Sequence, residues 1–146
     1  MAAVRWDDWS LVSQAIRVPS LGANDGAEIG APRLVAICFA DRWSKPAMST
    51  AIAIEAIRMG RDVEAFAQLF VLEASAEHER CWDFGVVTTP SVIFFWDGQQ
   101  VCVRRPDWDD ATKLVGAYSQ QMLLEVIRHC RDCCSQGGEL VLSLDF

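Results

Sequence analysis

Three largely apolar runs dominate the chain: Leu34-Val35-Ala36-Ile37-Cys38-Phe39, which is continuous, Phe66-Ala67-Gln68-Leu69-Phe70-Val71-Leu72 and Ser91-Val92-Ile93-Phe94-Phe95-Trp96. Runs of six or seven such residues predict strands buried on both faces. Between them the period changes. Trp9, Val12, Ala15 and Ile16 share one face at three- and four-residue spacing and predict a helix from Asp8 to Arg17, ended by Pro19. Residues 18–33 hold three glycines and two prolines and read as a flexible surface loop. Pro46 stands at a first helical position, and Met48, Ile52, Ile54, Ala56 and Ile57 carry that helix to a C-cap at Gly60. A short helix is expected over Ala76–Trp82. Asp97-Gly98 is a hairpin signal, with 100–104 as the returning edge strand. Ser119 can cap a last helix whose buried side is Met122, Leu123, Val126, Ile127 and Cys130. Gly137-Gly138 ends it, leaving 139–146 as a final strand or an ordered tail.

This order predicts one α/β domain over 1–146, with a central mixed sheet of four to five strands and helices on both faces. Strands joined through a helix pair in parallel by a right-handed crossover, and the hairpin adds an antiparallel edge. With half the residues hydrophobic, a domain of this size buries roughly 68–70% of its unfolded surface, so no disulfide or metal is needed for folding. The net charge of −7 opposes direct binding to nucleic acid, and Arg104-Arg105 is the only arginine pair. Protein partners fit better. No apolar stretch reaches the ~18 residues of a membrane span. The N-terminal residues do not read as a signal peptide, and six cysteines then suggest a reducing, intracellular compartment.

The order of elements resembles the thioredoxin fold. Phe39 closes the first buried strand and Trp43 follows just before a helix, while Pro90 directly precedes the third strand. In thioredoxins that proline is cis and faces the active-site turn. The chain is also similar to the DIM family of spliceosomal thioredoxin-like proteins, the small subunit of the U-five small nuclear ribonucleoprotein and its paralogue. Trp9 with Val12-Ser13-Gln14-Ala15-Ile16 looks like that family's opening helix, and Phe39-Ala40-Asp41-Arg42-Trp43 like its Phe-Gly-x-x-Trp segment, with Ala40 replacing glycine. Thr89-Pro90-Ser91-Val92-Ile93-Phe94-Phe95 and the stretch from Asp110 to Tyr118 look closer to the paralogue, since the subunit proper lacks the proline. The last helix, Gln120 to Cys134, fits too, and the resemblance covers roughly 8–145. Where the family has a basic Arg-Gly-rich exit after that helix, this chain has Arg131-Asp132-Cys133-Cys134-Ser135-Gln136-Gly137.

A thioredoxin-type oxidoreductase needs a thiolate at a helix N-terminus and a second cysteine to resolve the mixed disulfide. The resemblance puts those places at Ser44-Lys45-Pro46-Ala47, which has neither thiol. Cys38 and Cys102 read as core packing, and Cys130 and Cys134 as part of a buried stripe. Cys130, Cys133 and Cys134 with His129 form the one metal-like cluster, short of a closed four-ligand site. Cys81 has nothing nearby to activate it, and His78 reads as solvated. Trp9 and Trp43 are expected in the core. Trp96 and Trp108 flank the hairpin and are the candidate partner surface, with packing on the protein's own loops as the alternative.

The resemblance implies a non-catalytic, nuclear interaction subunit without cofactors, bound to other splicing proteins of the U-five or tri-snRNP; a homodimer is open. Two other classes remain: a thiol-dependent enzyme using Cys38, Cys81 or the 130–134 group, and a chaperone-like adaptor outside splicing.

Overall fold

The computed structural model describes residues 3–22 and 32–146, with side chains described for 3–16 and 32–146. The first apolar run forms β1 (Leu34–Ala40) and the second β2 (Ala67–Glu73), joined by α2 (Lys45–Met59) and paired in parallel from Leu34 opposite Ala67 to Ala40 opposite Glu73. The third run is β3 (Ser91–Trp96), antiparallel to β1 with Ile37 opposite Ile93. Every residue of β1 and β3 is buried because the sheet is covered on both sides. Leu34, Ala36, Cys38, Val92, Phe94 and Trp96 face α2 and α4 (Gln120–Ser135). Val35, Ile37, Phe39, Ile93 and Phe95 face α1 (Trp9–Gly22), α3 (His78–Asp83) and Phe84. A single 3-10 turn, Ala74–Ala76, precedes α3.

The hairpin forms at Asp97 and Gly98, both at positive φ (50° and 83°), the pair of left-handed residues a tight two-residue turn needs. The returning strand is not continuous. Gln99 and Gln100 form β4 against Trp96 and Phe95, but the next segment peels away as β5 (Cys102–Arg104) and pairs in parallel with β7 (Val141–Ser143). The reason lies in its hydrogen bonds: Cys102 N–H donates to Leu140 O and Val103 N–H to Ala111 O, both at or below 2.9 Å. Between them Leu114–Val115 adds a two-residue strand, β6, beside Ser91 and Val92.

Two further expectations change. The first helix does not stop before Pro19 but continues to Gly22, so 18–22 are helical rather than loop. A proline's fixed φ of about −65° is itself helical, and the helix passes it at the expense of one amide donor. The rest of the expected loop, 23–31, lies outside the described residues. On α4 the buried stripe is Leu123, Val126, Ile127, Cys130 and Cys134; Met122 is exposed, because it faces the chain's last residues across an open groove rather than the sheet.

The outer edge of β2 is closed by the N-terminal segment. Asp7 N–H donates to Val71 O (2.8 Å), and Val71 N–H returns a bond to Asp7 Oδ2 (2.9 Å). The Arg58 guanidinium joins Asp7, Glu55, Arg5 O and Leu69 O in one buried network. Burial alone would raise the Glu55 carboxyl, but Arg58 and the Arg5 amide outweigh it and hold it below its usual range.

Candidate functional site

The first turn of α2 is built by its own loop. β1 ends at Ala40, Ser44 N–H donates to Asp41 O (3.3 Å), and Ser44 takes an extended conformation (φ −97°, ψ 119°) that lets its hydroxyl accept from Ala47 N (3.4 Å). Lys45 and Pro46 are exposed in that turn, and the Ala47 methyl is fully buried. The loop before β3 is tied to this turn: Thr89 Oγ1 donates to Asp41 Oδ2 (2.9 Å). The Thr89–Pro90 bond is cis, Ser91 Oγ donates to Thr88 O (2.6 Å), and Gly116 N–H donates to Pro90 O (3.0 Å). The positive end of α2 is thus aimed at a serine hydroxyl and a methyl group. A helix N-terminus stabilises a thiolate, but only if a sulfur is placed there.

Trp43 is 72% exposed, Trp82 on α3 88% and Val87 94%. Trp43 therefore does not enter the core: it sits on the connection beyond β1, outside both faces of the sheet's buried clusters. Trp96 reverses the expectation in the other direction. It is 6% exposed, since its register continues the alternation of Val92 and Phe94 into the face under α2 and α4, and the Arg33 guanidinium stacks on it at 4.6 Å. Trp108 is 43% exposed and remains a surface candidate.

The cysteines divide by environment. Cys38 is buried in β1, and burial pushes its thiol up to about 12. Cys81 is half-buried on α3, its thiol raised by burial and by the charges of Asp41 and Glu77. Cys102 is exposed, against expectation, because Val103 takes the inward place on β5. Cys130 and Cys134 lie in the buried stripe. The neighbouring Cys134 thiol, with burial, raises Cys130, while Cys130 and the Arg33 guanidinium hold Cys134 below its usual range. Cys134 also lines a recess of 260 Å³ with Arg33, Asp97 and Gln99. Cys133 Sγ lies 3.6 Å from His129 Nε2, whose ring nitrogen also meets Ser143 O at 2.9 Å. Among the described residues no three His, Cys, Asp or Glu side chains are grouped to hold a metal ion. His78 is exposed.

Sequence reasoning missed a second surface. Met122, Glu125 and Val126 of α4 face Leu144, Asp145 and Phe146 across an open groove of 530 Å³. Its signal was present in the four-residue spacing of Met122 and Val126 and in the apolar Leu144 and Phe146 two residues apart after β7.

No protein-family model matches the chain, and no curated protein does. Solved structures do. Trxlp from Edwardsiella tarda is 14% identical with a TM-score of 0.59, covering 86% of this chain and 98% of that one. A mutant thioredoxin from Halobacterium salinarum is 19% identical with a TM-score of 0.53, covering 68% and 75%. Fasciola hepatica thioredoxin is 17% identical with a TM-score of 0.52, covering 75% and 93%. The chain has the thioredoxin fold. At such identities the likeness carries the fold and nothing of the chemistry. Within that fold, the turn of Ser44 to Ala47 is tied to the cis-proline loop through Thr89 and Asp41.

Proposed function

We propose that this chain is a non-catalytic thioredoxin-fold interaction subunit of the pre-mRNA splicing machinery, working in the nucleus with proteins of the U-five or tri-snRNP. The observation that carries the non-catalytic part is the first turn of α2, where the Ser44 hydroxyl caps the helix and Ala47 presents a buried methyl. Neither side chain can form or resolve a mixed disulfide. Trp43, Trp82 and Val87 are large apolar side chains left exposed, which suits a protein partner. The splicing part rests on the similarity of the stretches 9–16, 39–43, 89–95 and 110–118 to the DIM family. The acidic charge favours protein over RNA as the direct contact.

A second reading, a thiol-dependent enzyme, draws on Cys134, the one thiol lowered by its surroundings and placed at a recess. Affinity purification of the tagged chain from cell extract, before and after nuclease treatment, separates the readings. Splicing proteins retained after nuclease, and lost with Trp43→Ala, are expected. Recovery of a redox or metabolic partner in their place overturns the splicing reading, and a chaperone-type client set outside splicing would do the same.

A further inference from the structure

The groove between α4 and the residues following β7 shares no lining residue with the turn at Ser44, and the function proposed above does not use it. Its apolar lining is Met122, Val126, Leu144 and Phe146, of which Met122 is 37% and Phe146 38% exposed. At 530 Å³ it falls within the roughly 300–1,000 Å³ of ordinary ligand pockets, and it is open along the surface.

Its charge is one-sided. Glu125 and Asp145 line it, and no lysine or arginine does. Among the described residues neither carboxylate has an ion-pair partner; Glu125 accepts a hydrogen bond from Gln121 Nε2 (2.9 Å). The cation beyond Phe146, Arg105, is already engaged. Its Nε donates to Phe146 O (3.1 Å) and a terminal nitrogen to Val115 O (3.2 Å), and its guanidinium is stacked between Trp108, Tyr118 and Phe146 at 5.1–5.9 Å. The His129 ring is held by Ser143 O and lies beside Cys133. The two carboxylates are therefore left to an outside cation.

We propose that this groove docks a short extended peptide segment of a partner protein in which lysine or arginine alternates with apolar residues. Apolar side chains enter between Met122, Leu144 and Phe146, and the basic groups meet Glu125 and Asp145 on the rim. An acidic rim repels nucleic acid and anionic membrane surfaces, leaving a basic protein segment as the occupant that satisfies both the apolar floor and the charge. Arg105, by holding Trp108, Tyr118 and Phe146 together, fixes the aromatic end of the groove. The inference rests on the reading of the chain as an interaction module, but not on the splicing assignment or the surface at Trp43.

The test uses the full chain and a fluorescein-labelled octapeptide of four Lys-Val repeats, with four Glu-Val repeats as the control, at low salt. Methyl spectra of the methionines are recorded in parallel. The basic peptide is expected to bind and shift the Met122 methyl while Met48 and Met59 stay in place. Glu125→Lys with Asp145→Lys should weaken it at least tenfold without moving the melting temperature, and Met122→Ser several-fold. Equal binding of the two peptides overturns the proposal. So do an unchanged affinity in the charge-reversed variant and no binding at millimolar peptide. A concentration-dependent dimer abolished by Met122→Asp would assign the groove to a second copy and also overturn it. Because none of these variants touches Trp43, the pull-down described above fails or succeeds separately.

Discussion

The helices α2 and α4 lie side by side on one face of the sheet, and they carry opposite halves of a thiol chemistry. At the start of α2 the backbone supplies what a thiolate wants, the positive end of the helix, but the side chains there are Ser44 and Ala47. In the last two turns of α4 stand Cys130, Cys133 and Cys134, near the end of a helix that disfavours negative charge. There only Cys134 is lowered, by the neighbouring Cys130 thiol and by Arg33. Position without sulfur, and sulfur largely without position, teach the same lesson: neither feature alone makes a redox site.

The largest effect should come from moving sulfur to the favoured place. A Ser44→Cys thiol is expected to titrate at or below about 7.5, as thiols at helix N-termini do. Adding Ala47→Cys should give a dithiol that reduces insulin faster than the native chain. An inactive double variant would mean that the loop geometry, and not the missing sulfur, is what sets this chain apart.

The next largest probes what holds α2 in place at its other end. Arg58→Met leaves the Asp7 and Glu55 carboxylates buried without their cation and should cost about 3–5 kcal/mol in urea unfolding. The same network predicts an acid limb. Glu55 is held below its reference value of 4.5, so its contribution is complete above that pH and is lost as the pH falls through the lower folded value. Asp110, lowered by Lys113 and Thr112 against the effect of burial, adds in the same direction below 3.8. Melting temperature against pH should therefore fall below about 4.5, and less steeply in Glu55→Gln.

Smaller still are the two N-caps, which place the helices on equal terms. Ser44→Ala and Ser119→Ala each remove one hydroxyl acceptor and should each cost about 1 kcal/mol. A much larger cost at Ser44 would mean that the hydroxyl does more than cap. The smallest change in stability belongs to Trp43→Ala, within about 0.5 kcal/mol of the native chain by denaturant melt, since the ring is exposed.

The sheet was legible because β1 and β3 are buried on both faces, and β2 at all but Gln68 and Glu73, so that they read as largely apolar runs. The departures have local causes. Val101, Cys102 and Val103 alternate as a hairpin strand should, and nothing in that alternation tells that the amides of Cys102 and Val103 find Leu140 and Ala111 instead of continuing along β3. Trp43 and Trp96 were exchanged because tryptophan suits both core and surface. The register of β3 decides that Trp96 points under the helices, whereas Trp43 lies past the end of β1, beyond the alternation that would assign it a face. At the candidate site, Ser44 to Ala47 was readable residue by residue. The groove at Met122 was not, because its two walls are some twenty residues apart and meet only when β7 pairs with β5.

The most direct test of the non-catalytic account is an insulin-reduction assay of the native chain with dithiothreitol as the reductant, run beside Cys134→Ser. The account predicts that both proteins match the blank. Turnover by the native chain that disappears in Cys134→Ser would contradict it and place the working thiol on α4.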